Sequence, residues 1–498
     1  MRSAAGALRE PSVAAILGAL LALAGADAIG SSSVAVIAPI VLLITVFAAT
    51  HRRLLQWHSL LGGLLLVVLF VPIKRYSLPG SLPFNFELYR LTVMVLVLAW
   101  VTSLLIDPRV RLERTAFDAP LLAICGWTLA SELANPGRAD SLSSYVAKGL
   151  TFFLSFVLVY YMITSLIVSR SQLLFLLKLM VIGSTVVAAA AIVEQRSGYN
   201  VFNHLHTVMP FLHFEGGTSL IRFGRLRVYG SAQHPIALGA ALMTPVPIAV
   251  YFAQTRGRRW WIAIVLLILG SLASGSRTAI IMLLAMIIVY LRLKPQETRK
   301  LWPALLPSIV VIHALLPGAI GGFKEAFFPK GGLIKEQTTL CKGCDPNLSG
   351  GRIRQLVPGL KEAAGHPLFG EGFSTRITGF DSKFSNAPIL DNQWLNTVLE
   401  LGYIGVSFWF WIFIRAVRRL KRAARESDGD GDDWLFTGFA AAFTGYAVGM
   451  FTYDTFSFIQ VFFLFWILLG LAAVALRLAE GPPPAPRPFP RLRPTTQA

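Results

Sequence analysis

Residues 455–477 read TFSFIQVFFLFWILLGLAAVALR, and only the last of them is charged. The hydrocarbon core of a bilayer is about 30 Å thick, and a helix needs roughly 20 apolar residues to cross it. This stretch therefore predicts a membrane-spanning helix. Comparable apolar runs lie near 12–27, 33–50, 58–73, 89–106, 118–133, 146–168, 171–194, 236–253, 259–273, 277–291, 301–317, 393–414 and 434–452.

The composition of the whole chain agrees with this prediction. Of its 498 residues, 55% are hydrophobic and only 14% are charged, whereas soluble domains carry about a quarter charged residues. We therefore expect an all-α polytopic membrane protein with about 14 transmembrane helices and one long loop outside the cytoplasm, residues 318–391. A string of soluble domains is excluded.

The predicted organisation has four parts. Residues 1–190 are N-terminal transmembrane helices, and 191–420 form a central region that includes the 318–391 loop. Residues 421–480 are C-terminal transmembrane helices. Residues 481–498 are rich in Pro and Arg, and we expect a disordered cytoplasmic tail there.

The net charge of +19 arises from 45 basic and 26 acidic residues. Such an excess is typical of proteins that bind nucleic acid, anionic lipid or phosphate-bearing substrates. Lys and Arg in the short loops are concentrated on one side, which places both termini in the cytoplasm. Those residues orient the helices beside anionic lipid, and we predict no nucleic-acid partner.

The basic residues on the other side call for a different explanation. They form three clusters. The first is Arg222, Arg225 and Arg227, just before Gly230-Ser-Ala-Gln-His234-Pro. The second is Arg277 in Gly275-Ser-Arg-Thr-Ala, and the third is Arg352 and Arg354 in the long loop. Several guanidinium groups around one cavity suit a diphosphate, whose oxygens accept forked hydrogen bonds.

Arg277 is the most informative of these residues, because it opens an apolar helix at the membrane surface. An arginine near mid-membrane costs about 2.5–3.5 kcal/mol on insertion scales. Either Arg277 snorkels to the interface or pairs with a carboxylate such as Glu400, or it holds an anionic ligand. Gly275 permits a tight turn whose N–H groups would help to bind an anion.

The long loop contains its own structural signals. Apolar residues at helical spacing between 353 and 364 predict an amphipathic helix on the membrane surface, with a kink or break at Pro358. A turn then follows at His366-Pro-Leu-Phe-Gly-Glu-Gly, and the next helix begins at Asp391-Asn-Gln-Trp-Leu-Asn. Asp391 is either the N-cap of that helix or a functional carboxylate, and Glu400 is expected to pair structurally.

Two further patterns are weak signs of a metal. His204 and His206 alone provide too few ligands, and Cys341-Lys-Gly-Cys344 fits a local disulfide or free thiols better than a zinc site. Cys125 lies within an apolar helix, where it is expected to pack. We predict no metal and no cofactor.

Five of the motifs above occur in an order that resembles the O-antigen ligase and O-antigen polymerase family. They are Gly-x-x-x-His-Pro (230–235), Gly-Ser-Arg-Thr-Ala (275–279), Gly-Gly-Arg (350–352), His-Pro-Leu-Phe-Gly-Glu-Gly (366–372) and Asp-Asn-Gln-Trp-Leu-Asn-x-x-x-Glu-x-Gly (391–402). The resemblance covers about residues 190–420.

The resemblance implies a GT-C-like, metal-independent glycosyltransferase of the bacterial inner membrane, with its active site on the extracytoplasmic side. Such an enzyme takes a glycan from an undecaprenyl-diphosphate-linked donor and joins it to an acceptor hydroxyl on a glycan or lipid-linked acceptor, inverting the anomeric carbon. Arg277 and Arg352 occupy the positions implied to hold the diphosphate. A chain-length regulator or a flippase would be a further partner besides the bilayer.

The sequence departs from the ligases at one position. Ligases of this family typically have a histidine at the start of the helix after the long loop, where this chain has Asp391. The departure favours a polymerase or an exopolysaccharide relative. Because a carboxylate also serves as a base in glycosyl chemistry, we expect Asp391 to take the acceptor proton, with His366 and Glu371 as alternatives.

The remaining candidates complete the predicted site. The expected catalytic residues are Asp391, Arg277 and Arg352, and the expected substrate-binding residues are Arg222, Arg225, Arg227, His234, Arg354, His366, Glu371 and Asn392. A lipid-linked oligosaccharide flippase is the main alternative, although the single dominant loop and the lack of two similar halves argue against it.

Overall fold

The computed structural model describes most of the chain between Gln56 and Glu480. The described residues are 56–79, 86–136, 149, 151–217, 220–222, 225–316, 321, 324, 327–328, 352–373, 390–427 and 431–480, with the backbone alone for 220–222, 225, 304–306, 308–309 and 352–355. The predicted spans 12–27 and 33–50, both cysteines of the Cys341 motif and the 481–498 tail lie outside these residues.

The chain divides into two compact units, residues 1–64 and 65–498. In the first unit the described residues are 56–64, which are helical from Trp57 onward. The second unit contains the remaining elements and every predicted site residue.

The protein is mostly helical, as the sequence predicts. In the described part of the chain the helices are α1 Trp57–Phe70, α2 Leu88–Ile106, α3 Asp118–Ala134, α4 Leu158–Leu166, α5 Arg170–Ser197, α6 Pro235–Met243, α7 Val246–Thr255, α8 Trp260–Ala273, α9 Arg277–Leu293, α10 Pro295–Arg299, α11 Leu305–Leu315, α12 Arg352–Ala363, α13 Gln393–Glu426, α14 Asp432–Gly449 and α15 Ile459–Glu480. A π-helical stretch, Phe152–Val157, leads into α4, and 3-10 helices span Val201–Thr207 and Trp302–Ala304.

Two short antiparallel ladders add to the helices. Strand β1 (Tyr76–Ser77) pairs with β2 (His213–Phe214), and β3 (Leu220–Arg222) pairs with β4 (Arg225–Arg227). In the second ladder Arg222 lies opposite Arg225. The first arginine cluster is thus a short β-ribbon, which the all-α prediction did not include.

Helix α15, which carries the apolar run that opened the sequence analysis, lies at the centre of the second unit. Within its most apolar window 94% of the residues are buried, and it contacts α4, α5, α6, α13 and α14. Aromatic rings fill this centre: Phe462 lies 4.4 Å from Phe156 and 4.3 Å from Phe456 between ring centroids. Burial of such rings is among the largest contributions to a core.

Other helices present a large apolar surface to the outside. In α2 only 28% of the apolar window is buried, and Leu98, Leu105 and Ile106 are exposed. Five helices among the described residues are long and apolar enough to cross a membrane: Leu88–Ile106, Arg170–Ser197, Pro235–Thr255, Gln393–Glu426 and Ile459–Glu480. The protein is therefore a multi-pass membrane protein, and the total of about 14 spans stays a prediction.

Helix α13 is interrupted at Gly402, whose φ of 69° and ψ of −176° are not helical. The segment Pro367–Gly372 lies against this interruption. The Tyr403 N–H donates to the Pro367 carbonyl at 2.8 Å, and the Glu371 N–H donates to the Leu399 carbonyl at 2.8 Å. In an uninterrupted helix the Tyr403 N–H and the Leu399 carbonyl would have bonded within α13 itself.

Helix α3 completes the pairing of the interrupted backbone. The Ser131 hydroxyl donates to the Phe369 and Glu400 carbonyls at 2.7 and 3.0 Å. The Trp127 indole N–H donates to the Leu401 carbonyl at 2.9 Å, while its ring stacks on Phe369. The carbonyls freed at the interruption thus have partners from two other segments, as buried backbone groups require.

Of the predicted kink or break at Pro358, the break is wrong, because α12 continues through Pro358 as far as Ala363. A proline within a helix removes one hydrogen bond, and α12 is also held by packing on α13. Gly359 lies so close to Leu395 that a Cβ atom would come within 2.9 Å of that side chain. The interruption occurs in α13 instead, where other segments satisfy the backbone.

Replacing Gly402 with alanine should destabilise the protein strongly. The φ of 69° and ψ of −176° at Gly402 fall in a region that essentially only glycine adopts, at a cost of about 1–3 kcal/mol for other residues, and the new Cβ would lie 2.1 Å from the Leu368 carbonyl oxygen. We expect a lower thermal unfolding midpoint in detergent for Gly402→Ala. Gly126→Ala is the matched control, because Gly126 is helical and has open space at the Cβ position; equal midpoints for the two variants would contradict the prediction.

Candidate active site

Several helix ends meet at one end of the second unit. The helices that begin there are α6, α9, α13 and α15, and those that end there are α5, α8 and α14. We call this region the Arg277 end, and the opposite end, where Lys294 contacts Asp433, the Asp433 end. The N-terminus of a helix carries a partial positive charge, so four such termini favour an anion at the Arg277 end.

The turn Ser274–Arg277 connects α8 and α9 at this end. Gly275 has a φ of 63°, as the sequence predicted for a tight turn. The N-cap Ser276 makes no side-chain capping hydrogen bond to α9. Arg277 is the first residue of α9 and is only 7% exposed, so a charged side chain is buried where this helix begins.

The arginine ribbon β3–β4 approaches the same turn. The Arg227 Nε–H donates to the Ser274 carbonyl at 3.3 Å, and Gly275 lies beside the Arg227 side chain. The structure therefore brings together Arg227 and the Arg277 turn, which belong to two separate clusters in the sequence.

His234 caps α6 at this end. Its Nδ1 accepts a hydrogen bond from the Ile236 N–H at 3.1 Å, and its ring stacks on Phe458 with a centroid distance of 5.8 Å. Burial, followed by the nearby positive charge of Arg227, lowers the pKa of His234 to about 4. The ring is therefore neutral at pH 7, and because Nδ1 accepts, the proton lies on Nε2 as a hydrogen-bond donor.

The segment Met450–Phe458 joins the parts of this end and was missed by the sequence analysis. The backbone N–H of Gln393 donates to the carbonyls of Met450 and Tyr453 at 2.8 and 3.1 Å, and the Gln393 Oε1 accepts from the Phe456 N–H at 2.8 Å. On the other side the hydroxyls of Thr278 and Thr452 lie 2.8 Å apart. In the sequence, the only sign of this segment is the polar quartet Thr452-Tyr-Asp-Thr between two apolar runs.

Asp391 lies just before α13, which bonds to this segment through Gln393. It precedes Asn392, whose side chain accepts from the Leu395 N–H at 3.2 Å and so caps α13. The alternative that made Asp391 the N-cap is wrong, since the cap falls one residue later. Asp391 is two residues from Gln393 and Arg277 is next to Thr278, so the 450–458 segment connects the neighbourhoods of two of the three predicted catalytic residues.

The remaining predicted residues lie in two other places. The backbones of Arg352 and Arg354 belong to the first turn of α12, which packs on the start of α13. His366, which is exposed, and Glu371, which is buried, lie by the Gly402 interruption. Gly402 is nine residues from Gln393, roughly 13 Å at 1.5 Å per residue, so these two residues are separated from the N-terminus of α13.

Part of the chain is similar to a known protein family. Residues 238–410 match the family model described as O-antigen ligase. This region therefore resembles O-antigen ligases. The matched residues include Arg277, Arg352 and Asp391, whereas the arginine ribbon and His234 precede them. No curated protein matches the chain.

Among the described residues, no group of three or more His, Cys, Asp or Glu side chains is placed to hold a metal ion. His204 and His206 do stack, with ring centroids 6.3 Å apart.

The lowered pKa of His234 predicts a pH-dependent stability. Below a pH of about 6.5, the ordinary pKa of histidine, the His234 ring is protonated in the unfolded chain but stays neutral in the folded protein. The free energy of unfolding should therefore fall as the pH decreases from about 6.5 toward 4. His234→Asn keeps a capping side chain without that titration. Between pH 7.5 and pH 5 the thermal unfolding midpoint should fall further in the wild type than in His234→Asn. Equal decreases in the two proteins would refute the assignment.

Proposed function

We propose that the protein transfers or polymerises glycan from an undecaprenyl-diphosphate-linked donor onto an acceptor hydroxyl, at the extracytoplasmic face of the bacterial inner membrane. The observation that carries the proposal is the O-antigen ligase match, whose residues include a buried arginine at a tight turn. The four helix N-termini at the Arg277 end give independent support, because they favour an anionic group.

In the proposed reaction Asp391 accepts the proton of the acceptor hydroxyl. The acceptor oxygen attacks C1 of the sugar from the face opposite the diphosphate, the bond between C1 and the diphosphate oxygen breaks, and its electron pair leaves with the diphosphate. The anomeric carbon is thereby inverted. A carboxylate that is partly exposed, as Asp391 is, remains accessible to an acceptor.

Arginines stabilise the leaving group in this proposal. Arg277 and Arg352 hold the diphosphate, and Arg222, Arg225, Arg227 and Arg354 extend the cationic surface around it. Arg227 supports this role through its contact with the Ser274 carbonyl beside Arg277. Guanidinium groups can bind two phosphate oxygens at once, so the proposed reaction is metal-independent.

Neutral groups orient the sugars. His234 offers its Nε2–H to a sugar or phosphate oxygen, and Asn392 sets the start of α13 next to Asp391. His366 and Glu371 are assigned to substrate binding and lie by the Gly402 interruption, away from the N-terminus of α13. The acceptor is a glycan or a lipid-linked glycan.

Asp391→Asn should remove glycan transfer while leaving the protein in the membrane. An amide cannot take up the acceptor proton, and the loss of a general base lowers rates by about 10²–10⁴-fold. The assay is transfer in membrane vesicles supplied with lipid-linked glycan. Asp107→Asn is the control, because Asp107 follows the C-terminus of α2. Wild-type transfer by Asp391→Asn would remove Asp391 from the chemistry.

Arg277→Lys should also be severely impaired. Lysine keeps the positive charge but replaces the planar fork with a point charge, and the loss of one preorganised donor to a developing anion costs about 10²–10³-fold in rate. Arg292→Lys, in the last turn of the same helix, is the control in the same vesicle assay. Equal transfer by the two variants would argue against a diphosphate at Arg277.

A further inference from the structure

The turn Tyr229–Ala232 ends two residues before His234, and its backbone is held by charged side chains from two distant parts of the chain. We call it the 229–232 turn. It is almost completely buried, with Ser231 and Ala232 at 1% and 0% exposure. Neither of the charged residues that hold it, Arg75 and Glu194, stood out in the sequence.

Arg75 binds the carbonyl side of this turn. One guanidinium nitrogen donates to the carbonyls of Gly230 and Ala232 at 2.5 and 2.9 Å, and the other donates to the Asn203 side chain at 2.6 Å. The guanidinium group also lies over the Tyr229 ring, 4.6 Å from its centroid. Burial lowers the pKa of Arg75 to about 10, so the group remains charged at neutral pH.

Glu194 binds the amide side of the same turn. Its carboxylate accepts from the Gly230 N–H at 2.9 Å and from the Tyr229 N–H at 3.4 Å. Glu194 is 3% exposed and lies in the last turn of α5. Gly230 therefore has its carbonyl bound by a cation and its N–H bound by an anion, which fixes the peptide planes on both sides of the residue.

Buried charges of this kind are an expensive way to stabilise a fold, since each must be removed from water. Apolar packing would hold a loop at lower cost, whereas hydrogen bonds to charged groups are strong and directional. The arrangement thus favours a defined orientation of the turn. The predicted site residue next to this turn is His234, which follows Ala232 by two positions and whose ring stacks on Phe458.

We propose that Arg75 and Glu194 are a pair of positioning residues that hold the 229–232 turn from opposite sides and so fix the His234 ring at the Arg277 end. The effect on glycan transfer rests on the proposed function, whereas the effect on His234 does not. Neither residue contacts the substrate in this scheme, and both act through the backbone of the turn.

The test combines a titration with the transfer assay. The variants are Arg75→Lys, which keeps the charge but cannot reproduce the fork, and Glu194→Gln, which keeps one carbonyl acceptor. The controls are Arg196→Lys in the last turn of α5 and Glu297→Gln in α10. The protein is labelled with ¹⁵N-histidine, and the His234 signal is identified by its absence in His234→Asn.

In the wild type His234 should titrate near pH 4. A looser turn admits water to the ring, so in Arg75→Lys and in Glu194→Gln the pKa of His234 should rise by about one unit or more, toward its ordinary value. Transfer at pH 7 should fall about tenfold or more, at matched protein levels in the membrane. Both controls should behave as the wild type does.

The proposal is overturned if His234 titrates as in the wild type in both variants. It is also overturned if a shifted titration appears equally in the controls. A shift confined to the two variants together with normal transfer supports the positioning role and counts against a role of His234 in the reaction. Failure of the wild type to transfer glycan would refute the proposed function, while the titration would still decide the inference.

Discussion

A backbone N–H or carbonyl that leaves a helix in an apolar environment must find its partner within the protein. That constraint explains two irregular parts of the described chain. At Gly402 the partners of the interrupted α13 come from the 367–372 segment and from α3. At the start of α13 they come from the 450–458 segment, which bonds to both the main chain and the side chain of Gln393. The irregular backbone is thus fixed by long-range contacts.

The two ends of the second unit differ in their electrostatics. At the Asp433 end, basic residues have acidic partners: Arg170 lies 2.6 Å from Asp432, and Lys294 contacts Asp433. At the Arg277 end, Arg75 and Glu194 bind the same turn, and four helix N-termini add partial positive charge.

Much of this architecture could be predicted from the sequence. Each apolar run from 58–73 onward overlaps a helix or a pair of helices, because hydrophobicity and length determine these elements locally. The tight turn at Gly275 and the placement of Arg277 at the start of α9 followed from the residue types alone. The cap of α13 was misplaced by one residue, since Asp391 and Asn392 are both good capping residues.

Other features could not be predicted, because their causes lie far away in the chain. Glycine at 402 resembles any other helical glycine until its contact with Leu368 is known. Arg75 resembles a residue that orients helices until Gly230, 155 positions later, provides its partner. The 450–458 segment has no charge cluster to mark it, and its importance follows from contacts with Gln393 and Thr278.

The interruption at Gly402 has a consequence for biosynthesis. Trp127 and Ser131 of α3 donate to carbonyls 274 and 269 residues further along the chain, so α3 leaves the ribosome long before those partners exist. Until then its indole N–H and hydroxyl must find temporary partners, such as water, lipid headgroups or the insertion machinery. The contact between α3 and α13 is therefore a late step in assembly. In a chain truncated before Gly402 these polar groups would stay exposed to the proteases and chaperones that remove misfolded proteins.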